Sequence, residues 1–104
     1  KDFFVDEKEK SKITWLVPNS QSKQMEAVLL ELEEEGESKL MQPYAGEEFG
    51  YVLQGYVALV DGQEKYHRLK KGETFYIETD FTHKLVNVGK GVAKILWVAT
   101  PPMF

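Results

Sequence analysis

Gly46-Glu47-Glu48-Phe49-Gly50-Tyr51-Val52-Leu53-Gln54-Gly55 reads as a strand set between glycines, and its alternation decides the fold. Successive side chains along a strand point to opposite faces. With Glu48 inward, Gly50 and Val52 follow it, while Phe49, Tyr51 and Leu53 face out. A second stretch has the same character: Gly72-Glu73-Thr74-Phe75-Tyr76-Ile77-Glu78-Thr79-Asp80-Phe81-Thr82-His83, with Asn87 four residues on. Around these two, short runs rich in β-branched and aromatic residues alternate with turn residues. Residues 13–17, 25–32, 49–53, 56–60, 65–69, 73–77, 83–88 and 92–99 are predicted strands. Pro18-Asn19-Ser20, Gly55, Asp61-Gly62, Lys71-Gly72, Thr79-Asp80 and Gly89-Lys90-Gly91 punctuate them. Asp61-Gly62 is a hairpin signal, because glycine takes positive φ at little cost. Many short strands and no convincing helix give an all-β chain, a sandwich or a barrel.

The spacing resembles the two motifs of the cupin family, G-x5-H-x-H-x3-4-E-x6-G and G-x5-P-x-G-x2-H-x3-N. Six residues separate Glu48 from Gly55, as the first motif asks, and Gly72, His83 and Asn87 fall in place in the second. The resemblance implies a double-stranded β-helix, the cupin jelly-roll barrel, over roughly Ile13 to Pro101. Metal-bearing cupins hold their ion with both histidines of the first motif, its glutamate and the histidine of the second. Here Gln42 and Tyr44 stand where the first two histidines belong. A neutral amide and a phenol are poor substitutes for imidazoles at a transition metal. No metal and no cofactor are expected, and Glu48 and His83 are read as a hydrogen-bonded pair, since a buried carboxylate needs a partner.

Composition limits the remaining classes. The 104 residues suit one domain, 42% apolar and 29% charged. The absence of cysteine excludes disulfides and thiolate metal sites and fits the cytoplasm. No apolar run approaches the roughly 20 residues of a membrane span, and no membrane partner is expected. A net charge of −4 argues against a direct grip on nucleic acid, whose phosphates are neutralised by Lys and Arg. Residues 1–12 are charge-dense and read as a linker or the end of a preceding DNA-binding domain, with the cupin domain at 13–104. The acidic run Glu33-Glu34-Glu35-Gly36-Glu37 reads as a solvated turn.

The same alternation places the candidate site. Outward Lys94 turns Ala93, Ile95 and Trp97 inward, and His83, Leu85 and Asn87 share one face. The expected interior holds Gln42, Tyr44, Glu48, His83 and Trp97 as ligand-binding residues, with no catalytic group. Glu47 is either a solvated charge or a second anion at the pocket rim, and His67, outside both motifs, is given no role. The outward Phe49, Tyr51 and Leu53 need a cover, from a second sheet or from a second subunit in a homodimer.

The first motif, the strand at 72–77 and the ending Trp97-Val98-Ala99-Thr100-Pro101-Pro102-Met103-Phe104 resemble one subgroup of cupins. It comprises the C-terminal sensor domains of bacterial XRE-type helix-turn-helix transcriptional regulators, including regulators of polyamine use. The resemblance implies a non-enzymatic, small-molecule-sensing domain. Its DNA contact would come only through a helix-turn-helix domain outside this chain. A small cation such as a polyamine, held by Glu48 and enclosed by Tyr44 and Trp97, is the candidate ligand. The competing class is a small metal-dependent cupin enzyme, an isomerase or dioxygenase, and a third is a structural dimerisation module.

Overall fold

A computed structural model describes residues 2–17 and 23–104, and every helix or strand element among them is a strand. They are β1 (Phe3–Asp6), β2 (Ser11–Trp15), β3 (Glu26–Leu32), β4 (Glu47–Gln54), β5 (Tyr56–Asp61), β6 (Tyr66–Lys70), β7 (Thr74–Glu78), β8 (His83–Asn87) and β9 (Ala93–Thr100). The expected turn at Pro18-Asn19-Ser20 lies outside the described residues. No helix among the described residues is long and apolar enough to cross a membrane.

Two antiparallel sheets make up the fold. One has six strands in the order β1-β2-β3-β9-β4-β7, the other three in the order β6-β5-β8. The expected closed jelly-roll barrel is therefore corrected: the all-β class holds, but both sheets are open. β7 pairs with β4 alone and β6 with β5 alone, so no ladder joins these two edges among the described residues. Closure would require the outer backbone groups of β6 and β7 to pair with each other. Instead the sheets pack face to face and join through side chains, as in a sandwich. On the far side, single bridges Glu37↔Val86 and Met41↔His83 lay the segment before β4 along β8.

Within residues 1–12, expected to be a linker or the end of a preceding DNA-binding domain, the structure has regular pairing. Phe3–Asp6 is a strand, in register with β2 from Phe3↔Thr14 to Asp6↔Ser11. Backbone pairing needs no apolar alternation, so composition alone gives no sign of it.

Alternation controls what lies between the sheets. β4 is buried at Glu48, Gly50 and Val52 and exposed at Glu47, Phe49, Tyr51 and Leu53. β9 buries Ala93, Ile95, Trp97 and Ala99, and β8 buries His83, Leu85 and Asn87. Val28, Leu30 and Leu32 of β3 complete a core with Val57 and Leu59 of β5. Each such aliphatic side chain stabilises the fold by about 1.5–3 kcal/mol relative to exposure. Gly50 is inward because of space: a Cβ there would fall on the Phe75 ring.

Turn chemistry also departs from expectation in one place. β5 and β6 form the expected hairpin, but the residue with positive φ is Glu64 (62°), not Gly62. The Asp61 carboxylate shapes the turn, its Oδ1 accepting from the backbone N–H of Gln63 (2.8 Å) and Lys65 (3.1 Å). Gly72 does take positive φ (89°), with open space where its Cβ would stand, so its conformation rather than room favours glycine. The second motif's Asn87 is structural. Its Nδ2 lies within reach of the carbonyls of Leu32, Glu33 and Gly91, and its Oδ1 accepts from Gly89 N–H. It ties the acidic turn of the large sheet to the β8–β9 turn.

Candidate functional site

Glu48 is the hub of the interior. It sits on β4 between Ile77 of β7 and Ala99 of β9, and is 1% exposed. Three side chains converge on its carboxylate. His83 Nε2 lies 2.8 Å from Oε1, Trp97 Nε1 donates to the same oxygen at 2.9 Å, and Tyr44 Oη donates to Oε2 at 2.6 Å. His83 and Trp97 are fully buried. The Tyr44 backbone is fixed by Thr79, whose carbonyl accepts from Tyr44 N–H and whose hydroxyl donates to Tyr44 O, both at 2.8 Å.

The proton inventory of this cluster follows from its geometry. His83 Nδ1 is 2.9 Å from the Phe81 carbonyl, which can only accept, so Nδ1 carries a hydrogen. One further proton then lies between Nε2 and Glu48 Oε1. Burial pulls the His83 pKa down, but the Glu48 hydrogen bond, the Phe81 carbonyl and the Glu48 charge outweigh it and hold it above the usual imidazole value. With that one proton shared between them, the pair carries no net charge. Burial, with the Glu48 hydrogen bond and charge, raises the Tyr44 pKa well above that of a free phenol, despite an opposing Thr79 hydrogen bond. Tyr44 therefore remains a neutral donor.

Of the five side chains expected together, the structure gathers Tyr44, Glu48, His83 and Trp97 and leaves Gln42 out. Gln42 is exposed and takes no part in the hydrogen bonds around Glu48. This donor set does not fit a metal. The indole N–H can only donate, Tyr44 is a protonated phenol, and His83 already engages both ring nitrogens. Among the described residues no three His, Cys, Asp or Glu side chains are grouped to hold an ion.

The space open to a small molecule lies beside this cluster. A cavity of about 660 Å³ opens between the free edges of β6 and β7, where a barrel would have closed. Leu59, Phe75, Ile77 and Phe81 line it, with Asp61 and His67 also in its wall and no Lys or Arg. Asp61 Oδ1 is taken by the turn, while Oδ2 has His67 Nε2 at 3.7 Å. The backbone N–H of Lys65 is the first cause holding the Asp61 carboxyl below the usual range, followed by opposing burial and the aid of Gln63 and His67. Phe81 belongs to both places: its ring lines the cavity and lies 5.2 Å, centroid to centroid, from the His83 ring. At the other end, the Phe104 ring packs 4.8 Å from Trp97.

Asp61, His67, Phe75 and Phe81 were not expected in a site. For His67 the signal is present but weak: it pairs with Leu59, whose inward side is set by alternation. The cavity itself depends on the gap between two edges that no local pattern records.

The structure is an antiparallel two-sheet sandwich with a buried Glu–His pair between its sheets and an open chamber at one inter-sheet edge. The chain belongs to the Cupin domain family, whose pattern matches residues 28–99. It is 38% identical over 63 residues to an uncharacterized protein of Methanocaldococcus jannaschii, covering 61% of this chain and 50% of that one. It is 34% identical over 61 residues to the HTH-type transcriptional regulator PuuR of Escherichia coli, covering 59% of this chain and 32% of the regulator. Its fold superposes on the cupin domain of an XRE family transcriptional regulator from Enterobacter cloacae with a TM-score of 0.77. That match has 14% identity and covers 90% of this chain and 99% of the other. The chain is thus homologous to the cupin domains of bacterial helix-turn-helix regulators, and its matches span half or less of the length of these curated relatives.

Proposed function

We propose that this chain is the non-catalytic, ligand-sensing cupin domain of a bacterial helix-turn-helix transcriptional regulator, acting in the cytoplasm. DNA would be contacted only by a separate domain. The observation that carries the reading is the division of the interior. Glu48 is saturated by protein donors, while an apolar chamber beside it stays open. A catalytic cupin needs the opposite arrangement, with ligating groups free to face a substrate. The homology to regulators supports the same reading.

The ligand we propose is a small amine or polyamine. Its place is the chamber rather than the Glu48 carboxylate, whose charge His83 already balances. The chamber offers one carboxylate, Asp61, whose Oδ2 has only His67 near it at 3.7 Å, with aromatic walls and no Lys or Arg in the lining, a setting that suits an ammonium group. Binding to the folded state raises Tm by mass action. In a thermal-shift series, alkyl diamines should stabilise the domain, and Asp61→Asn should abolish the shift while Glu48→Gln retains it. Stabilisation by anionic or neutral metabolites but not amines would refute the amine and leave the sensor standing. In the intact regulator, an amine that stabilises the domain yet leaves DNA affinity unchanged would refute the sensor.

A further inference from the structure

The chamber between the β6 and β7 edges is polar at its mouth and apolar at its floor. Gly62 and Gln63 of the β5–β6 turn and His67 of β6 line the mouth and are exposed, with Asp61 half-buried beside them. The floor is carbon. Leu59 is 4% and Phe75 9% exposed, and Ile77 and Phe81 are half-buried. Ile77 pairs with Glu48 across the β4–β7 ladder and shares its inward face. Asp61 is the one carboxylate in the lining. Its Oδ1 is committed to the N–H groups of Gln63 and Lys65, which leaves Oδ2 for a ligand. Glu48 cannot act as a second anion behind the floor. It is 1% exposed, and its oxygens are already engaged by Tyr44, Trp97 and His83.

We infer that the chamber selects an amphipathic monoamine, with one ammonium at the mouth beside Asp61 Oδ2 and an uncharged apolar body laid against Leu59, Phe75, Ile77 and Phe81. This rests on the amine reading above and narrows it. At the mouth an ammonium meets Asp61, keeps water on its open side, and can donate to the His67 ring, which offers one acceptor nitrogen when neutral. The body behind it replaces water against alkyl and ring carbon, and each methylene buried there strengthens binding about fourfold. A volume of about 660 Å³ leaves room for a body well beyond one or two carbons. A second ammonium at the far end of that body finds no counter-ion. In the floor it would be an unpaired buried charge, which is heavily penalised. Held out in water instead, it would forfeit the burial of the chain that carries it. A diamine or polyamine therefore binds through one end only, and more weakly than a monoamine of the same length.

Isothermal titration calorimetry of this chain with butylamine, hexylamine and hexamethylenediamine at neutral pH tests it. Hexylamine should bind about fifteenfold more tightly than butylamine, two methylenes at about fourfold each. It should bind about tenfold or more above hexamethylenediamine, which has the same chain and a second charge. Ile77→Asp gives the floor a carboxylate and should reverse that second preference, with folding checked by far-UV circular dichroism; the comparison on the parent chain needs no variant. Hexamethylenediamine binding as tightly as hexylamine, or a flat series from butylamine to hexylamine, overturns the inference and leaves the amine reading in place. So does a folded Ile77→Asp variant that still prefers hexylamine, because the body then does not lie on the floor. No binding by any of the three amines overturns both.

Discussion

Removing the Glu48 carboxylate should be among the most damaging single changes in this domain, and its cost can be worked from the hydrogen bonds. In Glu48→Ala, Trp97 Nε1 and His83 Nε2 lose their shared partner while fully buried. An orphaned buried polar group costs about 1–3 kcal/mol, so the two together cost about 4 kcal/mol. Tyr44 is half-buried and can turn toward water, which adds little. The sum agrees with the ~3–5 kcal/mol typical of breaking a buried ion pair. For a chain of this length it lowers Tm by roughly 20 °C. Glu48→Gln separates charge from shape. Both Trp97 and His83 aim at one oxygen position, and an amide can place there either an acceptor or a donor, but not both. With neutral His83 keeping its Nδ1 hydrogen on Phe81, the amide satisfies either the indole or the imidazole, and about 2 kcal/mol is lost. Urea unfolding at neutral pH, followed by circular dichroism and Trp fluorescence, should rank parent, Glu48→Gln and Glu48→Ala in that order. A Glu48→Ala variant within about 1 kcal/mol of the parent would refute the three-donor cluster, since that is less than the cost of one orphaned group.

Three further outcomes follow from the same geometry. Tyr44→Phe removes a 2.6 Å donor to Glu48 and should cost about 2 kcal/mol in urea unfolding, as hydrogen bonds to charged groups do. The raised pKa of His83 has a definite sign in linkage. Its contribution is fully present below the unfolded imidazole value of 6.5 and is lost as pH rises through its higher folded value. An NMR titration of the His83 ring should therefore give a midpoint above 6.5, with unfolding free energy falling through that range; a midpoint below it would contradict the ion pair. Gly50→Ala should displace the Phe75 ring from the chamber wall, costing about 1–3 kcal/mol as overpacking does. A crystal structure of that variant should show the ring moved.

Much of the architecture was legible because strand alternation is a local property. The inward set Glu48, Gly50 and Val52, the inward Trp97 and His83, and the outward Phe49, Tyr51 and Leu53 all follow from a period of two. The pairing of Glu48 with His83 was readable too, because an apolar interior forces a buried carboxylate to find a partner. Gln42 was misplaced because alternation stops where the strand stops: it precedes β4, on a segment held by bridges to β8 rather than by a ladder. The strand at Phe3–Asp6 escaped notice because a hairpin arm bonded through its backbone leaves little trace in composition.

By itself the sequence determined the all-β class, the two motifs and the facing of the motif strands, since each depends on residues within one strand or turn. The tertiary structure alone decided that the sheets stay open and that Trp97 and Tyr44 join His83 on one carboxylate. It also decided that the chamber forms beside that cluster and not around it. These depend on how two sheets twist and meet, on contacts between residues far apart in the chain, such as Glu48 and Trp97, 49 positions apart. A carboxylate can be seen in a sequence to need partners; which side chains supply them, and where the remaining space falls, depends on packing distances that no local pattern encodes.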